Sequence, residues 1–391
     1  MTEVDGIGAD VLVESTASLL ADIERGLHLG AQLYVEHDAQ VVADLALGEQ
    51  RAGRPMTRDS MVTWFSMTKP TVAVSVMQQW ERGNLDLDDT IATYVPEFAA
   101  NGKDRITIRH CLTHTAGFRA GDLVWSSALD ADDWWRDTIA GICTVEPDPD
   151  WVPGLRAAYH LTAGMTMLAE VIRRIDGRAF SQYVRDEVFL PLGMTDCWVG
   201  MPGEAHASYG DRLGAMHTTS DPTAGPVPLD HLDAATMMSY CVPGGGGRGP
   251  TRQYAQLYRA LLRHGELDGV RILSPQTVEA MSARHRVEMF DDTFNIVCDW
   301  GLGVQVDAYA MGGYCSPRAY GHGGALSSFA FVDPEAALVV ALQTNGMPTN
   351  DDHYVRLHRA MSSVYVDLGI VEVGAPERPR PMPQVVAPLG T

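Results

Sequence analysis

The stretch Phe65-Ser66-Met67-Thr68-Lys69-Pro70 sets a lysine three positions after a serine. Residues three apart share a helix face, so an amine sits beside the hydroxyl if a helix begins near Ser66. Serine is a weak nucleophile at neutral pH and needs a base, and a lysine in a dehydrated pocket loses affinity for its proton and can act as one. Pro70 fits the first helical turn, where a missing N–H costs little. The free N–H groups and the dipole at that end favour developing negative charge. Two further groups fit the same chemistry. Tyr159, in "WVPGLRAAYHLTAG", is a phenol that two nearby cationic amines would hold below its usual pKa of about 10, ready to relay a proton. In "YGHGGALSSFAFVD", Gly323 and Gly324 follow His322 and let backbone approach a ligand closely. The Ala325 N–H, with that of Ser66, would then hold an oxyanion.

The elements that must position these groups follow from periodicity. A helix is expected over residues 9–27, with Val11, Val13, Leu19, Leu20 and Ile23 apolar. "GAQLYVEHDAQVVADLALG" alternates as a strand pair turning at His37–Asp38–Ala39. A helix carrying Val72, Val74, Val76 and Met77 runs from Ser66 to near Gly83. Residues 105–290 read as mostly helical, with 3.6-residue periods in "DWWRDTIAGI", "LTAGMTMLAEVIRRIDG" and "TRQYAQLYRALLRHG". Strands return in "WGLGVQVDAY" and on both sides of Asp333–Pro334–Glu335, a hairpin turn. "SSVYVDLGIV" is a last helix. The fold class is α/β: an antiparallel sheet completed by both chain ends, with helices packed on it and a mostly helical insertion. The expected divisions are 1–90 with 295–370 as the sheet domain, 91–294 as the helical domain and 371–391 as an extended Pro-rich tail.

Composition narrows the partners. The 391 residues are 46% hydrophobic and 20% charged, with a formal net charge of −21. That charge argues against nucleic acid or an anionic membrane surface, which need clustered Lys and Arg. The N-terminus has no basic region followed by an apolar run, and no stretch approaches the roughly 18 apolar residues of a membrane span, so a cytoplasmic protein is expected. Six scattered cysteines without a CxxC pair read as reduced thiols.

In combination, Ser66-Met-Thr-Lys69, Pro153-Gly154 ahead of Tyr159, and His322-Gly323-Gly324 resemble the serine β-lactamase/penicillin-binding-protein superfamily. The resemblance is to its class C-like branch, with family VIII esterases and related transacylases. "LDLDDTIATYVPEF", "ITIRHCLTHTAGF", "FLPLGMTDCWVGMP" and "PGGGGRGPTRQYAQLYRALL" extend it over roughly residues 15–365. The resemblance implies Ser66 as nucleophile, Lys69 as its base, Tyr159 as activator, and Ala325 N–H as an oxyanion donor. His322 stands where such lactamases keep a lysine, and Leu161 where they keep a polar residue, in Tyr159-His160-Leu161. Both departures point away from β-lactams and towards a less charged ester, thioester or amide.

Three functions fit: a serine hydrolase of small esters or amides, a transacylase passing the acyl group to an amine or alcohol acceptor, or a non-catalytic binding relative. The hydrolase is favoured, acting on a small acyl substrate without cofactor or metal; the oligomeric state is not legible. His160 and Trp151 are expected near the substrate, Trp151 with Trp125, Trp134 and Trp135 as a cluster that could line an acyl pocket. His110 and His114, at i, i+4 around Cys111, have zinc-like spacing but no third ligand nearby. The glycines at 244–247 are expected to form a flexible loop beside the site.

Overall fold

The computed structural model describes residues 4–385. Its sheet has β1 (Val4–Ile7), β2 (Gly30–His37), β3 (Gln40–Arg51), β4 (Arg54–Pro55), β5 (Asp299–Trp300), β6 (Gln305–Val306), β7 (Tyr320–Gly324), β8 (Ser328–Asp333) and β9 (Leu338–Thr344). The order is β1-β3-β2-β9-β8-β7-β6-β5, every pair antiparallel, with β4 on β3. The two ends of the chain meet at β2–β9, where Ala341 faces Tyr34. Both faces of the central strands are covered, so these strands are apolar at successive positions rather than alternating with polar ones. Along β9, Leu338, Val340 and Leu342 pack on one face with Leu357, Met361 and Tyr365, while Val339 and Ala341 join Val72, Val76 and Tyr258 on the other. The Asp333–Glu335 turn joins β8 to β9 as expected, with Asp333 opposite Leu338.

The helices that matter here are α1 (Val13–Glu24), α2 (Lys69–Glu81), α3 (Ala131–Thr144), α4 (Ala163–Asp176), α5 (Thr251–Leu262) and α6 (Asn350–Asp367). Helix α1 starts later than expected, after a strand the sequence pattern had hidden. Val11 and Val13 face solvent, and Leu12 and Leu19 are the residues buried. Helix α6 is longer than expected, because Thr349 caps it at Asp352 N (3.2 Å) and the polar "NDDHYVRLHRAM" stretch becomes its first two-thirds. The described tail, 371–385, has neither helix nor strand, and Arg378 and Arg380 anchor it on Asp307; residues 386–391 lie outside the described residues.

In the middle of the chain the three periodic segments form α3, α4 and α5, accompanied by shorter helices such as Ile108–Leu112 and Pro275–Ser282, by loops and by two- and three-residue strands. All six cysteines are unpaired thiols. No helix among the described residues is long and apolar enough to cross a membrane.

Candidate active site

A short 3-10 turn, Phe65–Thr68, precedes α2, and Ser66 sits in it rather than in the α-helix proper. Phe65 adopts φ +48°, a strained value for a bulky residue. The surroundings hold it there. Thr68 Oγ1 donates to Phe65 O (2.6 Å) and accepts from Gly247 N (2.8 Å), and the wholly buried Trp64 donates from its indole to Gly249 O (3.0 Å). From the sheet, Ser328 Oγ donates to Trp64 O (3.3 Å) and Gln343 Nε2 to Thr63 O. The Ser66 N–H precedes the first bond of the turn, which Met67 N makes to Trp64 O (3.2 Å), so it is free for a ligand.

Lys69 opens α2 with Pro70 in the first turn, as expected, and is fully buried. Its Nζ lies 2.8 Å from Ser66 Oγ, 2.7 Å from Leu161 O and 2.7 Å from Gly244 O. A neutral amine has two N–H donors and one lone pair. The two carbonyls take the donors, and the lone pair is left facing the serine O–H. Burial pushes the Lys69 pKa down to about 7, with Asp122 partly opposing the shift. Asp122, itself 3% exposed, supplies geometry as well as charge. Its carboxylate accepts the N–H groups of Leu161 (2.8 Å), Thr162 (2.8 Å) and Ala163 (2.7 Å), which caps α4 from a distant loop and fixes the Leu161 carbonyl.

Tyr159 lies beside Ser66 on the wall of one cavity, and Lys69 Nζ is 4.8 Å from its ring centre. The expected lowering of its pKa is overturned. Burial pushes the phenol well above its usual value, the nearby Asp122 and Asp291 carboxylates add to the rise, and only the Ser66 hydroxyl opposes it. The tyrosine is therefore a protonated phenol. Its backbone N–H donates to Asp291 Oδ1 (3.1 Å), which also takes the Thr293 and Phe294 N–H groups, while Asp291 Oδ2 is 2.9 Å from the buried Arg286. Asp122 and the Arg286–Asp291 pair were missed by sequence reasoning. They stand 37 and 132 residues from Tyr159, in the short 3-10 turn Arg119–Leu123 and at the two-residue strand Phe290–Asp291, and no local signal marks them.

Strand β7 brings His322, Gly323 and Gly324 to the opposite wall. Gly324 must be glycine, since a Cβ there would lie 2.1 Å from Trp64 O. His322 donates from Nδ1 to Gly323 O (2.7 Å), and burial, then Lys69, pushes its pKa down to about 3. It is a neutral ring whose Nε2 is an acceptor, so it has no proton to lend a leaving group. Ser66, Tyr159, Leu161, His322, Gly323, Gly324 and Ala325 all line one cavity of about 370 Å³, closed by Phe294, Leu326, Phe329 and Val385 of the tail. A larger cavity of about 820 Å³ between α3 and α4 shares no residue with it, and there Glu170 pairs with Arg173 and Arg174.

Several expected neighbours are elsewhere. Trp151 lies outside the cavity: its indole donates to Thr115 O (3.0 Å), its ring fills the space where a side chain at Gly117 would stand, and Arg119 and Arg156 flank it. Trp125 and Trp134 pack with Tyr240, and Trp135 donates to Glu170. His160 is buried behind Tyr159 against Phe118, so it does not reach substrate. The helix holding His110 ends at Leu112, and His114 turns to accept the His160 N–H (3.1 Å) instead of joining His110 on one face. The glycine loop is packed rather than flexible: Gly244 O holds Lys69, and Gly247–Gly249 pairs with Val62–Thr63 and Trp198–Val199.

Comparison with known proteins agrees with this geometry. The family model described as "Beta-lactamase" matches residues 19–364. The chain is 29% identical over 344 residues to Esterase EstB of Burkholderia gladioli, covering 81% of this chain and 86% of that protein. It is 26% identical over 345 residues to Esterase/beta-lactamase LipL of Mycobacterium tuberculosis, covering 81% and 77%. The crystal structure of a family VIII carboxylesterase superposes with a TM-score of 0.79 at 28% identity, over 94% of this chain and 100% of that one. With the family model spanning the sheet, the helices and all three motifs, the chain belongs to the beta-lactamase family.

Proposed function

We propose that the protein is a serine hydrolase that cleaves a small, uncharged ester or amide through an acyl-enzyme on Ser66. The observation that carries this reading is the Lys69 amine, 2.8 Å from Ser66 Oγ with both of its N–H groups committed to carbonyls. Lys69 takes the Ser66 proton as Oγ attacks the substrate carbonyl. The oxyanion is held by the Ser66 and Ala325 N–H groups. The Tyr159 phenol gives its proton to the departing oxygen or nitrogen and is reprotonated from Lys69 through the Ser66 position. In the second half-reaction water gives up a proton along the same route and releases the acid. A cavity lined by no charged side chain among the described residues supports a neutral substrate over a carboxylate-bearing β-lactam.

The apolar walls formed by Leu161, Phe294, Leu326, Phe329 and Val385 favour a second reading. If they exclude water, an alcohol or amine acceptor takes the acyl group instead. The test is intact-mass spectrometry after mixing with p-nitrophenyl butyrate, with and without added alcohols and amines. A butyryl adduct that clears in buffer alone marks a hydrolase, and one that persists until an acceptor is added marks a transacylase. Ser66→Ala should form no adduct while melting within about 2 °C of the parent, since it removes one oxygen and no packing. Retained turnover in that variant overturns the proposal.

A further inference from the structure

Three buried atoms on the cavity lining have no hydrogen-bond partner among the described residues, and all three are acceptors. His322 Nε2 is one, because the ring's single proton is on Nδ1 facing Gly323 O. His353 Nδ1 is the second, the nearby Leu326 carbonyl favouring the ring proton on the other nitrogen. Asn350 Oδ1 is the third, the amide nitrogen donating to Pro383 O (2.9 Å). His322 is 2% and His353 3% exposed. Tyr354 and Gln305, also on the lining, carry groups able both to donate and to accept.

A buried acceptor left unpaired keeps its desolvation cost, recovered only when something donates to it. Three such acceptors in one cavity are a specific demand: they reward hydroxyl, N–H or amide hydrogens and penalise a carboxylate. Among the described residues the lining has no carboxylate to balance an ammonium ion, so neutral hydroxyl donors fit best. Position says which part of the substrate carries them. The Tyr159 and His322 rings are 6.0 Å apart, and Tyr159 is the proposed proton donor to the leaving group, so His322 reads the leaving or accepting alcohol. His353 and Asn350, on the same lining as Ala325 and Leu326, read further hydroxyls.

We infer that the site takes a polyhydroxylated alcohol portion, as the leaving group of an ester or as an acceptor, and recognises it through His322, His353 and Asn350. This rests on the acyl-enzyme reading above. The test compares kcat/KM of the full-length protein for three butyrate esters differing only in the alcohol: propyl, 2,3-dihydroxypropyl and 3-carboxypropyl. Formation of the butyryl adduct from p-nitrophenyl butyrate runs alongside. The dihydroxypropyl ester should exceed the propyl ester at least tenfold, with the carboxypropyl ester at or below the propyl one. His322→Leu and, separately, His353→Leu should each bring the dihydroxypropyl-to-propyl ratio towards one. A ratio near one in the parent protein, no turnover of the dihydroxypropyl ester, or a ratio unchanged in both variants overturns the inference while the p-nitrophenyl adduct still forms. Absence of that adduct overturns the acyl-enzyme reading instead, and the inference with it.

Discussion

At Lys69, three oxygens around one nitrogen decide the chemistry. An ammonium ion would spend all three hydrogens on Ser66, Leu161 and Gly244, whereas the neutral amine satisfies both carbonyls and keeps a lone pair for the serine proton. Only the neutral form works as a base, and its pKa is lowered to about 7. The rate of adduct formation from p-nitrophenyl butyrate should therefore rise with pH, roughly tenfold per unit below 7, and level off above about 8. Stopped-flow release of p-nitrophenolate across pH 5.5–9 reads this directly, and a flat profile would remove Lys69 from the role. The depressed pKa also has a stability sign. Between about 7 and 10.5 the unfolded chain holds a proton on Lys69 that the folded protein lacks, so the Lys69 contribution to stability rises with pH across that window. At Tyr159 the shift runs the other way, which makes the phenol a proton donor and not a standing base.

One carboxylate organises the elements around that lysine. Thr162, before α4, makes no side-chain cap, and Asp122 does the capping from forty residues away while holding Leu161 O on Lys69. Asp122→Ala leaves three N–H groups without their acceptor and lets the Tyr159–Leu161 segment shift. Acylation should fall by about tenfold to a hundredfold, since small misplacements of a positioned group are costly. Urea unfolding should show a loss of about 3 kcal/mol. Asp122→Asn, with one acceptor oxygen in place of two, should lie between. A variant that lost stability with an unchanged acylation rate would make Asp122 structural only. The turn carrying Ser66 depends in the same way on partners from β8, β9 and the Gly247 strand, which hold Phe65 in its left-handed conformation.

Over the whole molecule, a net charge of −21 surrounds a cavity with no charged lining residue among those described. Anionic substrates are repelled on approach, and salt screens that repulsion. The 3-carboxypropyl ester should gain about twofold in kcat/KM between about 50 and 500 mM NaCl, while the propyl ester stays unchanged; equal salt responses would mean that the field at the cavity mouth is neutral. The sequence by itself determined the candidate reacting groups and the local geometry that pairs them. Ser66 and Lys69 are three apart at a helix start marked by Pro70, two glycines follow His322, and strand patterns at both ends of the chain close one sheet. These are short-range facts, set by the helical period, the ring of proline and the missing Cβ of glycine. Only the tertiary structure decided the rest. It named Leu161 O and Gly244 O as the lysine's acceptors, which no residue type encodes because every residue has a carbonyl. It moved Trp151 and His160 out of the cavity, because packing on Gly117 and Phe118 claimed them first. It set the charge states of Lys69, Tyr159 and His322 as well, since burial is the largest cause of each shift and depends on everything packed around the group.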